Sequence, residues 1–150
     1  MVEFENPGPK LSRVELASFE EGIGYELPVE YRSFLLAVNG GRPVPDIVDV
    51  EGHPEFTTDV KALFGLRRVI ESTCLDWWVK TLSERLEPGV LPIGSDSGGN
   101  VFCISLHPGD HGVVLYCDLQ SVFADYGAVP DFYRVASTFG SFLCLLRPWE

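Results

Sequence analysis

Leu91-Pro-Ile-Gly-Ser-Asp-Ser-Gly-Gly-Asn-Val-Phe-Cys-Ile-Ser-Leu106 is the stretch whose reading decides the fold. Pro92 and Gly94 punctuate the approach, and a polar, glycine-rich turn runs from Ser95 to Asn100. Val101 to Leu106 then alternates with the period of a half-buried strand. Gly98 and Gly99 admit positive φ in the turn, and Asn100 tolerates it better than most residues. Beyond the turn His107-Pro-Gly-Asp-His-Gly112 lies a second strand candidate, from Val113 to Cys117. The two strands predict an antiparallel hairpin at the centre of a sheet, and no chemistry is visible in it.

Upstream, Ser12 followed by Glu15 fits a capping box opening a helix over 13–21, closed by Gly22 and Gly24. Leu27-Pro28 starts a second helix, with Pro28 at its first position and Tyr31, Phe34, Leu35 and Val38 on one stripe. Asn39-Gly40-Gly41 ends it with residues that accept a left-handed backbone. Residues 1–10 read as a loose lead-in, and 42–56 as loop with a short edge strand over Ile47 to Val50. Val60 to Leu66 reads either as a strand or as the start of a helix. Ser72 or Thr73 caps a helix reaching Leu86, stopped by Glu87-Pro-Gly89. After the hairpin, 119–130 reads as loop, 132–136 as a short extended segment, and Ser137 or Thr138 caps a last helix carrying Phe139, Phe142, Leu143 and Leu146. No repeat, low-complexity tract or linker divides the chain, so residues 1–150 form one domain.

With 45% apolar and 12% aromatic residues, a packed core is expected. No apolar run approaches the roughly 18 residues of a membrane helix, and the acidic N-terminus does not resemble a signal peptide. A cytoplasmic location is therefore expected, with Cys74, Cys103, Cys117 and Cys144 as reduced core thiols. They form no C-x-x-C or His/Cys cluster, which argues against zinc. His107, Asp110 and His111 could share a metal from one loop, but its Pro-Gly context serves equally as a turn and no further ligand is visible. No cofactor is implied.

Net charge is −11, from 22 acids against 11 bases. No Lys or Arg falls between Arg42 and Lys61, where Asp46, Asp49, Glu51, Glu55 and Asp59 lie. None falls between Arg85 and Arg134, where Glu87, Asp96, Asp110, Asp118, Asp125 and Asp131 lie. If these stretches share a face, its negative potential repels nucleic acid and anionic membrane and attracts a cationic protein. Candidate contacts are Asp46, Asp49, Glu51, Glu55, Asp96, Asp118 and Asp125. Trp77 is a candidate apolar anchor, because it and adjacent Trp78 point about 100° apart on a helix and both cannot be central core. Asp96-Ser97-Gly98-Gly99 superficially matches a serine-protease nucleophile loop, with His53 and Asp76 in compatible order. Several strong helices in so short a chain do not suit that fold, and a triad is defined by geometry rather than order.

The ordered motifs Glu20-x-x-Ile-Gly24, Leu27-Pro28-x-x-Tyr31-x-x-Phe34-Leu35, Asn39-Gly40-Gly41, Leu91-Pro-Ile-Gly94, Asp96-x-x-Gly99-Asn100 and Val135-Ala-x-Thr-Phe-x-x-Phe-Leu143 resemble the SUKH superfamily. The likeness is closest to the branch named after a yeast cell-wall assembly regulator, and it spans about residues 11–146. Ser137 stands where that branch commonly has an acid. The resemblance implies an α+β fold with a central, mostly antiparallel sheet, and a non-enzymatic role. Bacterial members are largely immunity proteins against polymorphic toxins, many of them nucleases; the eukaryotic branch is thought to act as interaction hubs. Residues and resemblance together lead to the expectation of an immunity protein that occludes a cationic toxin domain. A hub without toxin specificity is the alternative, and weak self-association stays open.

Overall fold

The computed structural model describes residues 2–120 and 130–149. In chain order they form β1 (Glu3–Glu5), α1 (Arg13–Ile23), α2 (Val29–Ala37), β2 (Arg42–Val44), β3 (Ile47–Asp49), β4 (Thr57–Asp59), β5 (Ala62–Leu63), α3 (Leu75–Thr81), β6 (Val90–Ser95), β7 (Val101–Ser105), β8 (Val114–Asp118), β9 (Asp131–Ala136) and α4 (Phe139–Cys144). The main sheet runs β5-β6-β7-β8-β9 with every neighbouring pair antiparallel. Two further ladders, β1–β2 and β3–β4, are also antiparallel. Helices packed on a central antiparallel sheet make this an α+β fold, as expected.

The expected hairpin is β7–β8, with Val101 opposite Cys117 and Ile104 opposite Val114. It differs from expectation in burial: every residue of β7 is buried, not alternate ones. Both faces of the strand are covered. Phe102 and Ile104 join a core with Tyr31, Phe34, Phe139 and Phe142, while Val101, Cys103 and Cys117 join Leu82, Leu86 and Leu119. Burying each large side chain contributes about 1.5–3 kcal/mol, so this two-sided core dominates the stability of the sheet.

The glycine- and proline-marked approach to the turn is itself a strand. β6 pairs with β7 from Val90–Ser105 to Ser95–Val101, with a register shift between Pro92 and Gly94. A bulge is where a sheet accommodates proline, which has no N–H to donate. The lead-in is not loose either: β1 pairs with β2, and Phe4 packs 5.2 Å from Phe34. Within 42–56 the edge strand appears as β3, paired with β4, and Val60 to Leu66 resolves toward a strand in β5.

The Ser12–Glu15 capping box is formed: Ser12 Oγ accepts from Glu15 N at 3.1 Å and Ser12 N donates to the Glu15 carboxylate at 2.9 Å. That backbone donation is the main reason the Glu15 carboxyl lies below its ordinary range. α1 runs on to Ile23 and stops at Gly24, in the left-handed region. In α2, Pro28 is the N-cap, one place before its expected position, and Tyr31, Phe34 and Leu35 are buried. α3 is shorter than expected. Glu71–Thr73 is a 3-10 turn, Cys74 precedes the helix, and Ser72 and Thr73 do not cap it. Leu82 and Leu86 nevertheless reach the core, because Leu82 N→Trp78 O and Leu86 N→Leu82 O hydrogen bonds, both 2.9 Å, carry the helical spacing on through turns. Thr138 caps α4 by accepting from Ser141 N. Cys74, Cys103 and Cys117 are buried free thiols, whereas Cys144, expected in the core, is exposed near the end of α4.

Asn39 locks the helical layer to the chain beyond it. It sits at φ 57° and is 1% exposed. Its side chain donates to Pro9 O and Leu66 O and accepts from Leu66 N, each at 2.8 Å. Gly65 passes so close that a Cβ there would meet Asn39 O at 2.2 Å, so no larger residue fits. Asn39→Ala would strand the buried Leu66 N–H. An unmet buried donor costs about 1–3 kcal/mol, and the lost side-chain bonds add to it. The variant is therefore expected to unfold at clearly lower urea concentration with unchanged m-value. An unchanged midpoint would show that Asn39 is not the lock.

Candidate functional site

Parts of the two acid-rich stretches, residues 47–59, the turn at 95–100 and Asp118 with Asp131, meet at one end of the main sheet, whereas Glu87 and Asp110 lie at the other end. Asp96 opens the β6–β7 turn and is 4% exposed. Its carboxylate accepts from Gly98 N at 3.0 Å, Asn100 N at 2.8 Å, Thr58 Oγ1 at 2.8 Å and the Tyr116 hydroxyl. The two backbone bonds shape the turn, as an aspartate does when it accepts from the chain just beyond it. Thr58 brings in β4 and Tyr116 brings in β8. Burial, reinforced by the Asp96 carboxylate, pushes the Tyr116 hydroxyl pKa upward. Asn100 extends the network: its Nδ2 donates to Tyr116 Oη at 2.9 Å and its Oδ1 accepts from Leu119 N at 2.9 Å.

A second tie runs through His53, between β3 and β4. Its Nδ1 accepts from Glu55 N at 3.1 Å, so Nε2 carries the proton and donates to Asp118 at 3.0 Å. The ring also stands edge-on to Tyr116 and Tyr133, at 5.1 and 5.0 Å. A third tie links Ser97 N and its hydroxyl to Asp59. Together these bonds bring residues 47–59, the turn at 95–100 and Asp118 into one unit.

Within that unit the candidate carboxylates fare differently. Glu51 and Glu55 are exposed, and among the described residues no partner pairs with their carboxylates. Asp118 is partly buried against His53. Asp46 is paired with Arg42 at 2.8 Å, and Arg42 also reaches Glu5. Asp49 takes two bonds from the Arg147 guanidinium, at 3.1 and 2.8 Å, and one from Thr57 Oγ1 at 2.8 Å. Arginines from outside the base-free stretches therefore border this end of the molecule. Asp96 lies inside it as a structural acceptor. Asp125 lies outside the described residues. Trp77 stands elsewhere, edge-on to Trp78 at 5.1 Å, in a groove with Arg68, Glu71, Asp76 and Lys80. Trp78 is the more embedded of the two, stacked on Phe64 at 5.0 Å with its indole N–H donating to Ser72 O.

Three residues escaped the candidate set. Asp131 is exposed and directly opposite Asp118 in the β8–β9 ladder, and its place in a base-free stretch could have marked it. His53 is a lone histidine among acids, and sequence order points to it only as a catalytic base. Phe56 is half exposed beside Glu55 with φ 57°, and nothing in the sequence signals that.

Among the described residues, the Ser97 triad and the metal site in the loop after β7 do not assemble. The Ser97 hydroxyl is held by Asp59, both ring nitrogens of His53 are engaged elsewhere, and Asp76 lies on α3. In the loop after β7, Asp110 accepts from Ser105 Oγ, His111 Nε2 meets Glu26 O, and His107 faces Glu87. Among the described residues, no group of three His, Cys, Asp or Glu side chains is placed to hold a metal ion. No described helix is long and apolar enough to cross a membrane.

The Asp49–Arg147 pair makes a pH signature. The arginine, then Thr57, holds the Asp49 carboxyl below its ordinary range. A depressed folded pKa adds stability above the unfolded value of about 3.9 and loses it as pH falls through the folded one. Arg147→Gln is expected to unfold at slightly lower urea than the parent at pH 7, with the gap closing by about pH 2 as Asp49 protonates in both. A gap independent of pH would mean that Arg147 acts through packing and not through charge.

Among known proteins, the chain is similar to a SPbeta prophage-derived uncharacterized protein, YokK, of Bacillus subtilis (strain 168). The two are 25% identical over 145 residues, covering 86% of this chain and 71% of the relative. No solved structure matches. The model of the SMI1 / KNR4 family (SUKH-1) matches residues 10–144, and the chain belongs to that family.

Proposed function

We propose that this chain is a non-enzymatic, cytoplasmic immunity protein that covers a cationic toxin domain with the acidic end of its sheet. One observation carries the reading: exposed Glu51 and Glu55 and exposed Asp131 stand around the His53–Asp118 pair without a base among the described residues to neutralise them. Like charges directly opposite across a ladder destabilise it, and Asp118 and Asp131 stand so. His53 and Gln120 N already meet Asp118, and a positive partner surface would relieve the exposed Asp131 beside it. Family membership agrees with a binding role.

In this reading the carboxylates take the place of phosphates on a toxin that acts on nucleic acid. Their field speeds encounter by roughly 10- to 1,000-fold at low salt, and apolar contacts then slow dissociation. Glu51, Glu55, Asp118 and Asp131 do the steering, with Asp46 and Asp49 on the arginine-bordered side. Asp125 belongs with the steering acids by its position in the chain, and Trp77, on α3 away from that end, is an anchor only for a partner broad enough to reach both. The same negative field disfavours nucleic acid and anionic membrane as partners.

The test is co-expression with any toxin domain encoded beside this gene. Growth rescue is expected from the parent. In stopped-flow mixing, Glu51→Gln/Glu55→Gln/Asp131→Asn is expected to lower the association rate about 10-fold or more at low salt and hardly at all at high salt. Trp77→Ala is expected to raise the dissociation rate about 10-fold, and an unchanged rate would place the indole outside the contact. Unchanged rescue and unchanged rates in the triple variant would overturn the reading.

A further inference from the structure

On the flank of α1 and α3 the surface opens into an apolar groove of about 260 Å3 that is separate from the acidic end. Its floor is Leu82, Leu86, Leu91 and Leu106, all buried core residues. Ile23 and Tyr25, at the end of α1, form one wall and Val79 of α3 the other. The volume is below the roughly 300–1,000 Å3 of small-molecule pockets, which fits one or two protein side chains and not a cofactor.

The rim has a definite sign. Among the described lining residues the charged one is Glu87, and no lysine or arginine lines the groove. Glu87 projects from the turn before β6. Its Oε2 lies 3.3 Å from His107 Nε2, yet that buried nitrogen has no hydrogen bond of proper geometry. His107 itself is fixed. Its ring lies against Gly89, where a Cβ would meet it at 2.6 Å, and it stands edge-on to Tyr25. Glu87 thus lines the groove with a largely exposed carboxylate that a cation can use.

We infer that this groove is a second contact for the cationic protein partner, taking an apolar side chain whose neighbouring lysine or arginine meets Glu87. The inference rests on the reading of the partner as a cationic protein, and it adds the apolar contact that slows dissociation. Aliphatic floor and acidic rim together select a basic amphipathic segment over an acidic or purely polar one.

The test uses a synthetic peptide of about 14 residues with leucine at i, i+3, i+4 and i+7 and lysine elsewhere, and its counterpart with glutamate for lysine. Gly22 lines the groove, and a Cβ there meets nothing within 4 Å, so Gly22→Trp fills the space without disturbing the core. Titration of the full chain followed by NMR should show the lysine peptide shifting Ile23, Tyr25 and Val79. Gly22→Trp should weaken it about 10-fold or more while Gly22→Ala does not, and Glu87→Gln should weaken it and flatten its salt dependence. Ser83→Trp repeats the block from the opposite wall should Gly22→Trp prove unstable. Equal binding by the blocked variants, or equal binding of the glutamate peptide, would overturn the inference. Because the peptide is not the toxin, such a result leaves the acidic-end reading to stand or fall on its own rates.

Discussion

A buried carboxylate organises the acidic end. An aspartate that is 4% exposed is costly unless its oxygens are met, and the four donors around Asp96 meet them. Those donors come from β4, from the turn after β6 and from β8, so satisfying one charge fixes three segments relative to one another. Asn100 repeats the logic with Tyr116 and Leu119. Hydrogen bonds to a charged group contribute about 1.5–3 kcal/mol each, enough to hold a two-stranded ladder that would be marginal alone. His53 adds its bond to Asp118 from the same side. Where Glu51, Glu55 and Asp131 stand follows from these ties more than from the charges themselves.

Much of the helical layer was legible because its signals are local. The Ser12–Glu15 box, the Thr138 cap, Pro28 and the Asn39-Gly40-Gly41 ending are each decided within a few residues, and each appears within a residue or so of its expected place. The misses depend on partners distant in the chain. β1 is a strand because β2 offers a ladder and Phe34 a surface for Phe4. β6 contains proline and glycine, which argue locally against a strand, and only the bulge opposite β7 makes room for them. The alternation along β7 promised one wet face, but Leu82, Leu86 and Leu119 cover it.

The candidate site divides in the same way. Charge segregation along the chain singled out Glu51 and Glu55, which are exposed, and Asp118, which His53 engages. It could not tell a carboxylate that holds the structure from one left exposed. Asp-x-x-Gly-Asn at 96–100 is a pattern suited to an aspartate bonding its own turn, which is the role Asp96 takes. Asp49 looked unpaired because its arginine lies 98 residues away. The groove beside Glu87 was invisible for a related reason: its floor is built from helix and strand leucines that periodicity assigns simply to core.

The Asp96 carboxylate couples the β3–β4 ladder to the sheet and so gathers the acids. Amide hydrogen exchange on Asp96→Ala tests it most directly. Exchange across Ile47–Asp59 is expected to quicken about 10-fold or more, while β7 and β8 keep their protection, because local opening follows the elements whose ties are cut. Uniform loss of protection across the sheet, or an unchanged ladder, would show that Asp96 does not couple the two.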